Sequence, residues 1–141
     1  MKLLIDTNII LDVLCKRKGL YEGSAKIFKL CELRRMEGII SALSIPNIVY
    51  IMRKELDGDR IRDILEILSI IFRISDLKAD DLKKGAKMNF RDYEDALQNV
   101  CAERMKADYI ITRNKRDFAG SKVPAFSPEE FLEIDAPVNT C

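Results

Sequence analysis

Lys2-Leu3-Leu4-Ile5-Asp6-Thr7-Asn8-Ile9-Ile10-Leu11-Asp12-Val13-Leu14-Cys15 decides the fold. The short, mostly apolar run that ends at Asp6 predicts a buried strand. Thr7 or Asn8 then stands where a helix cap belongs, ahead of a second apolar run from Ile9 to Cys15. Lys16-Arg17-Lys18 stops that run, and Gly19 suits the residue just past a helix. A strand without polar alternation, followed at once by a helix, is the opening unit of a parallel sheet covered by helices.

The alternation continues along the chain. Leu20, Ser24, Ile27, Phe28 and Cys31 have helical spacing within 20–35, with Glu22, Lys26 and Lys29 opposite. Gly38-Ile39-Ile40 predicts a second strand, and Ser44 to Glu55 a helix with Pro46 in its first turn, where a missing N–H does no harm. Ile61, Ile64, Leu65, Leu68 and Ile71 form another helical stripe, and Phe72-Arg73-Ile74 a third strand. Asp80 to Lys87 and Asp92 to Lys106 predict two further helices, the second with Tyr93, Ala96, Leu97, Val100 and Cys101 on one stripe. Tyr109-Ile110-Ile111-Thr112 is the fourth strand, and Val123 to Phe126 a fifth. Ser127-Pro128-Glu129-Glu130 opens a last helix with a cap, a proline at its first position and acids at its positive end. The expected architecture is α/β, a three-layer sandwich whose mainly parallel sheet of about five short strands is flanked by helices. It forms one domain over residues 1–135, with a short tail over 136–141.

Composition agrees with that picture and narrows the chemistry. The 141 residues are 48% hydrophobic and 33% charged, which describes a folded, soluble chain and argues against disorder. A domain of this size buries roughly 68–70% of its unfolded surface, enough to stand without metal or disulfide staples. Lys plus Arg number 24 against 23 Asp plus Glu, so the net charge of +1 indicates no partner and any steering must come from local patches. There is no histidine, which removes Ser-His-Asp and Cys-His catalysis, histidine metal sites and nucleases with a histidine acid or base. Cys15, Cys31, Cys101 and Cys141 are far apart and lack C-x-x-C spacing, so they read as reduced thiols of a cytoplasmic protein. Neither a signal peptide nor a run long enough to span a bilayer is visible.

In an open parallel sheet, sites form beyond the carboxyl ends of the strands. Asp6 ends the first strand there, and Thr112, Asn114 and Asp117 lie at and after the fourth. Asp92 and Asp95 open the helix leading into the fourth strand, and Asn47 lies in the first turn after the second. Gathered carboxylates repel by about 4 kcal/mol per pair at 4 Å and an effective dielectric near 20, so protons or divalent cations must compensate them. Oxygen ligands without His or Cys suit Mg²⁺ or Mn²⁺ and phosphoryl chemistry. Asp6, Asp95 and Asp117 are the expected metal ligands and catalytic acids; the alternatives are a cap of the first helix for Asp6, a first-turn acid favoured by the helix dipole for Asp95, and a turn cap before Phe118 for Asp117. Asp92 stands where a helix cap belongs, Asn114 also suits a turn, and Asn47 equally suits the third position of a helix capped by Ser44. Arg113, Lys115 and Arg116 form the basic cluster best placed to meet a phosphate backbone. The groups at 16–18 and at Lys83, Lys84 and Lys87 read as solvated faces.

These residues carry a resemblance. Leu4 to Asp12 resembles the opening motif of the PIN-domain family, and Asp92-Tyr93-Glu94-Asp95-Ala96-Leu97-Gln98 with Ala107 to Phe118 resembles its carboxy-terminal motifs. The ordered set covers nearly the whole chain and is most similar to small prokaryotic members, among them toxins of VapC-type toxin–antitoxin pairs. The resemblance implies a Mg²⁺- or Mn²⁺-dependent ribonuclease with Asp6 as the first-strand acid and Asp95 as the helix acid, supported by Asn8 and Thr112. It implies RNA as substrate, an antitoxin as partner and a homodimer. Where many members carry Asp this chain has Asn114, with Asp117 as the replacement acid. Where the family often carries Glu it has Asn47, an amide without charge.

A second reading, favoured by Asn47 and Asn114, is a catalytically degenerate RNA-binding or protein-interaction module. A haloacid-dehalogenase-type phosphatase would need Asp at position 8, where Asn8 stands, and a response-regulator receiver would need an acid pair at the first strand.

Overall fold

A computed structural model gives the fold and describes residues 1–135; the expected tail at 136–141, with Cys141, lies outside the described residues. The elements run β1 (Lys2–Ile5), α1 (Thr7–Leu14), α2 (Tyr21–Glu32), β2 (Glu37–Ser41), α3 (Ser44–Met52), α4 (Gly58–Ile71) and β3 (Arg73–Ser75). Then follow α5 (Ala79–Lys87), α6 (Tyr93–Arg104), β4 (Tyr109–Ile111), a 3₁₀ turn at Lys115–Phe118, β5 (Ala125–Phe126) and α7 (Pro128–Asp135). The five strands pair in parallel in the order β3-β2-β1-β4-β5. β1 lies at the centre, with Leu4 level with Ile39 of β2 and Ile110 of β4.

The continuous apolar strands are explained by burial on both faces. Leu3 and Ile5 point to one side with Ile40 and Ile111, where Ile9, Ile10, Ile27, Ile48, Leu68 and Phe131 of α1, α2, α3, α4 and α7 cover them. Leu4 points to the other side with Ile39 and Ile110, against Cys101 and Ala102 of α6, Phe118 and Val123. This period of two, doubled by helices on both faces, is the expected sandwich.

Two stripes differ from expectation. In α4 only Leu68 is fully buried, Ile61, Ile64 and Ile71 are half-buried, and Ile67 and Ile70 face solvent, because the helix lies at the margin near the short edge strand β3. In α6 Tyr93 is exposed, its hydroxyl donating to the carbonyl of Leu82, while Ala96 through Ala102 are all buried. That helix is enclosed on both faces, since α5 packs over the side turned away from the sheet. No described helix is long and apolar enough to cross a membrane.

Candidate active site

The chain winds outward from β1 through β2 to β3, then returns to place β4 on the other side of β1. Open α/β sheets leave a crevice beyond the strand ends at such a reversal. Asp6 enters it from β1, its backbone N–H donating to the carbonyl of Ile111 of β4 at 3.0 Å. The residue is extended (φ −67°, ψ 149°) and is itself the cap of α1, Oδ1 accepting from the N–H of Thr7 at 2.8 Å. The cap expected from Thr7 or Asn8 therefore falls one residue earlier, because the strand passes into the helix without a linker. Oδ2 of Asp6 accepts from the buried hydroxyl of Thr112 at 2.8 Å, and that oxygen in turn accepts from the N–H of Asn114 at 3.0 Å. Each carboxylate oxygen thus accepts one hydrogen bond, one from the residue after β1 and the other from the residue after β4.

The other acids come from two elements. Asp92 caps α6, accepting from the N–H of Glu94 at 2.7 Å, so it has the capping role its position indicated. Asp95 lies in the first turn of that helix, and Asp117 in the 3₁₀ turn that Asn114 begins and buried Phe118 anchors. Asp6, Asp92, Glu94, Asp95 and Asp117 share one cleft of about 280 Å³ with the amides of Asn8, Asn47, Gln98 and Asn114. Sequence reasoning missed Glu94 and Gln98. Their signal was spacing, since Gln98 is one helical turn beyond Asp95 and Glu94 sits between two acids already singled out.

No lysine or arginine lines this cleft among the described residues, and the acids pay an electrostatic penalty for it. Burial, then the charges of Asp6, Asp92, Asp117 and Glu94, pushes the Asp95 carboxyl up to about 7. Burial also raises Asp6, opposed by the hydrogen bonds from Thr112 and Thr7 and reinforced by Glu94 and Asp117. A second sign of an unfilled need is Gln98. Its side-chain N–H donates to Ser44 Oγ at 3.0 Å and lies 3.5 Å from Thr7 Oγ1, while those hydroxyls stand 2.6 Å apart. Its carbonyl Oε1 is left buried in the cleft wall without a partner among the described residues. Mutually repelling acids and an orphaned acceptor fit a cation carrying water. Among the described residues no three acids stand close enough to grip a bare ion. Mg²⁺ keeps several waters and takes only one or two carboxylates directly, which suits acids spaced around a cleft.

Ser44 faces this inner network and makes no side-chain cap for α3, whose cap residue is Leu43. The alternative of Asn47 as partner in a Ser44 capping box is therefore removed. Asn47 is half-buried and lines the cleft.

The basic cluster is divided. Arg113, expected at a phosphate backbone, is turned away from the cleft. Its Nε meets Asp12 Oδ2 at 3.0 Å, and its other nitrogens reach Glu129, the carbonyl of Leu20 and Ser24 Oγ. Asp12 is fully buried, so a cation is needed beside it, and Arg17 adds a second at 3.4 Å. Arg113 thus ties β4 to α1, α2 and α7, next to the threonine that holds Asp6. Lys115 is half-exposed and pairs with Glu130 at 2.8 Å, which helps hold that carboxyl down at about 2. Arg116 is exposed and forms no ion pair among the described residues. Arg17 also reaches Asn8 at 3.3 Å.

Fold and site together define an α/β domain with an acid-lined cleft beyond its strand ends. Residues 2–116 match the family model described as PIN domain, and the chain belongs to that family. It is 27% identical over 137 residues to Ribonuclease VapC1 of Aquifex aeolicus (strain VF5), covering 94% of each chain. The fold is shared with FitAcB from Neisseria gonorrhoeae (TM-score 0.68, 20% identity, 90% of this chain and 98% of that one). It is shared also with a toxin–antitoxin complex from Klebsiella pneumoniae (TM-score 0.67, 22% identity, 89% and 97%).

Proposed function

We propose that this protein is a Mg²⁺- or Mn²⁺-dependent endoribonuclease and the toxin of a toxin–antitoxin pair. The observation that carries the proposal is the cleft itself, which five acids line with no lysine or arginine among the described residues and in which Asp95 is driven up to about 7. The name of the Aquifex aeolicus relative and the nature of the Klebsiella pneumoniae complex support RNA as substrate and an antitoxin as partner.

Asp6, Asp95 and Asp117 would hold the metal, with Asn8, Asn47, Asp92 and Asn114 around it. A bound divalent cation supplies an acidified water and charge neutralisation at the leaving oxygen of a phosphodiester. Thr112 and the Thr7 N–H fix the direction of the Asp6 lone pairs, so that acid does not reorganise when charge arrives. Asp95 and Asp117 supply the remaining negative charge from across the cleft. Gln98 offers a neutral acceptor held by Ser44 and Thr7. Arg116 is the cation of the original cluster left to meet the RNA backbone; Lys115 can do so only by leaving Glu130. The protein acts in the cytoplasm, as a homodimer, through a single domain over residues 1–135.

The test is cleavage of end-labelled RNA by purified protein with Mg²⁺ or Mn²⁺, with excess chelator, and with Asp6→Asn. Metal-dependent cleavage lost in Asp6→Asn is the expected result. The second reading, a degenerate module, draws on Asn47 and Asn114, amides where charge is customary. It predicts RNA binding without cleavage, and Mn²⁺ affinity no greater than that of Asp6→Asn.

A further inference from the structure

The face of α3 turned to the cleft carries more than Asn47. Tyr50 and Ile51, three and four residues on, also line it. Tyr50 is 54% exposed, and among the described residues it is the one aromatic side chain in a lining made mostly of acids and amides. Two cations attend the ring, with the guanidinium carbon of Arg53 at 4.4 Å and Lys54 Nζ at 5.5 Å from its centroid. Both residues are exposed, and among the described residues neither pairs with an acid. Arg113 and Lys115, by contrast, are already committed to acids.

An RNA chain approaching this cleft meets repulsion from the acids, so its phosphates need cations at the rim. Arg53 and Lys54 provide them on the α3 side. An exposed aromatic ring beside them offers what phosphate contacts alone do not, a surface for a base. Bases within a duplex are stacked on each other and have no face to give.

From this juxtaposition we propose that Tyr50, with Arg53 and Lys54, is a stacking platform for an unpaired base of single-stranded RNA next to the cleft. The inference rests on the ribonuclease reading and names the form of its substrate. Tyr50 takes the base, and Arg53 and Lys54 take the flanking phosphates. Specificity for unpaired RNA follows, because a duplex can satisfy the cations but not the ring.

The experiment uses the full chain carrying Asp6→Asn, so that RNA stays intact, and a single-stranded RNA of about twelve nucleotides containing 2-aminopurine, whose fluorescence falls on stacking. The Asp6→Asn protein should bind the strand, quench it, and bind the corresponding duplex more weakly. Adding Tyr50→Ala should weaken binding about tenfold and abolish the quench, whereas Tyr50→Phe should preserve both. Arg53→Ala and Lys54→Ala should each lower the slope of log affinity against log salt by ~0.7 while leaving the quench. Tyr50 is exposed, so melting curves should show all variants folded. Unchanged affinity and quench in Tyr50→Ala overturn the platform and leave the ring to a protein partner. Equal affinity for strand and duplex overturns it too. Absence of RNA binding in any form overturns the ribonuclease reading along with it, which separates the two failures.

Discussion

Replacing Asp95 by Asn should stabilise the metal-free protein while destroying its activity. The folded-state carboxyl titrates at about 7 against an ordinary 3.8, because burial and the charges of Asp6, Asp92, Asp117 and Glu94 oppose ionisation. A difference of about 3 pH units at about 1.4 kcal/mol each gives a ceiling of about 4 kcal/mol. Asp95 is half-exposed, and solvent screening reduces that to about 2 kcal/mol. For a domain of this length the gain corresponds to a rise in melting temperature of about 6 °C at pH 8. The sign follows from proton binding. Between pH 4 and 7 the folded state holds a proton on Asp95 that the unfolded state has lost, so wild-type stability falls as pH rises and the penalty is complete above about 7. Melting curves from pH 4 to 8 should therefore diverge, with Asp95→Asn close to wild type at pH 4 and clearly higher at pH 8. The raised carboxyl of Asp6 leaves a smaller slope in the variant. Mn²⁺ should raise the wild type by about 2.7 kcal/mol at a hundred times Kd and leave Asp95→Asn nearly unmoved. A variant no more stable than wild type at pH 8, or a gap that does not change with pH, would refute the argument from crowded charge.

Asn47→Asp should tighten Mn²⁺ binding or raise cleavage, as restored charge strengthens a metal position; calorimetry and initial rates check it, and no change in either would confine Asn47 to packing. Arg113→Ala should destabilise by about 2–3 kcal/mol in denaturant titrations, since buried Asp12 keeps only Arg17 and Ser24. Its RNA affinity should keep the wild-type salt dependence, in contrast to Arg116→Ala, and Arg113→Lys should not rescue stability because a point charge cannot span the same partners. Thiol titration of the folded protein at pH 8 should leave Cys31 and Cys101 unreactive, since both are buried and burial pushes the Cys31 thiol up to about 12. Rapid labelling of either would contradict the packing of β1 and β2 against α2 and α6.

The sheet was legible because each strand is short, apolar and bounded by a turn or cap, so Leu3-Leu4-Ile5 and Tyr109-Ile110-Ile111 needed no distant information. Position at a strand end was enough to single out Asp6 and Asp117, and the first turn of a helix to single out Asp95. What sequence could not give was the direction of long side chains. Arg113 follows Thr112 in a run of cations and reads as substrate-facing, yet a buried acid more than a hundred residues earlier draws it inward. In the sequence Asp12 stands out only as part of a motif, although an acid within an apolar helical run requires a partner. The identity of the α1 cap turned on the absence of a linker after β1, which composition does not report. Glu94 and Gln98 were hidden because their roles depend on which helix face meets the cleft, and α6 is buried on both sides.

The central claim is that Asp6, Asp95 and Asp117 hold a divalent cation at the carboxyl edge of β1 and β4. Its most direct test is titration of Mn²⁺ into the purified, chelator-treated protein, followed by calorimetry. The account predicts saturable binding in the wild type that weakens sharply in Asp6→Asn, Asp95→Asn and Asp117→Asn, with each variant still folded. Wild-type binding no tighter than that of the three variants would contradict it.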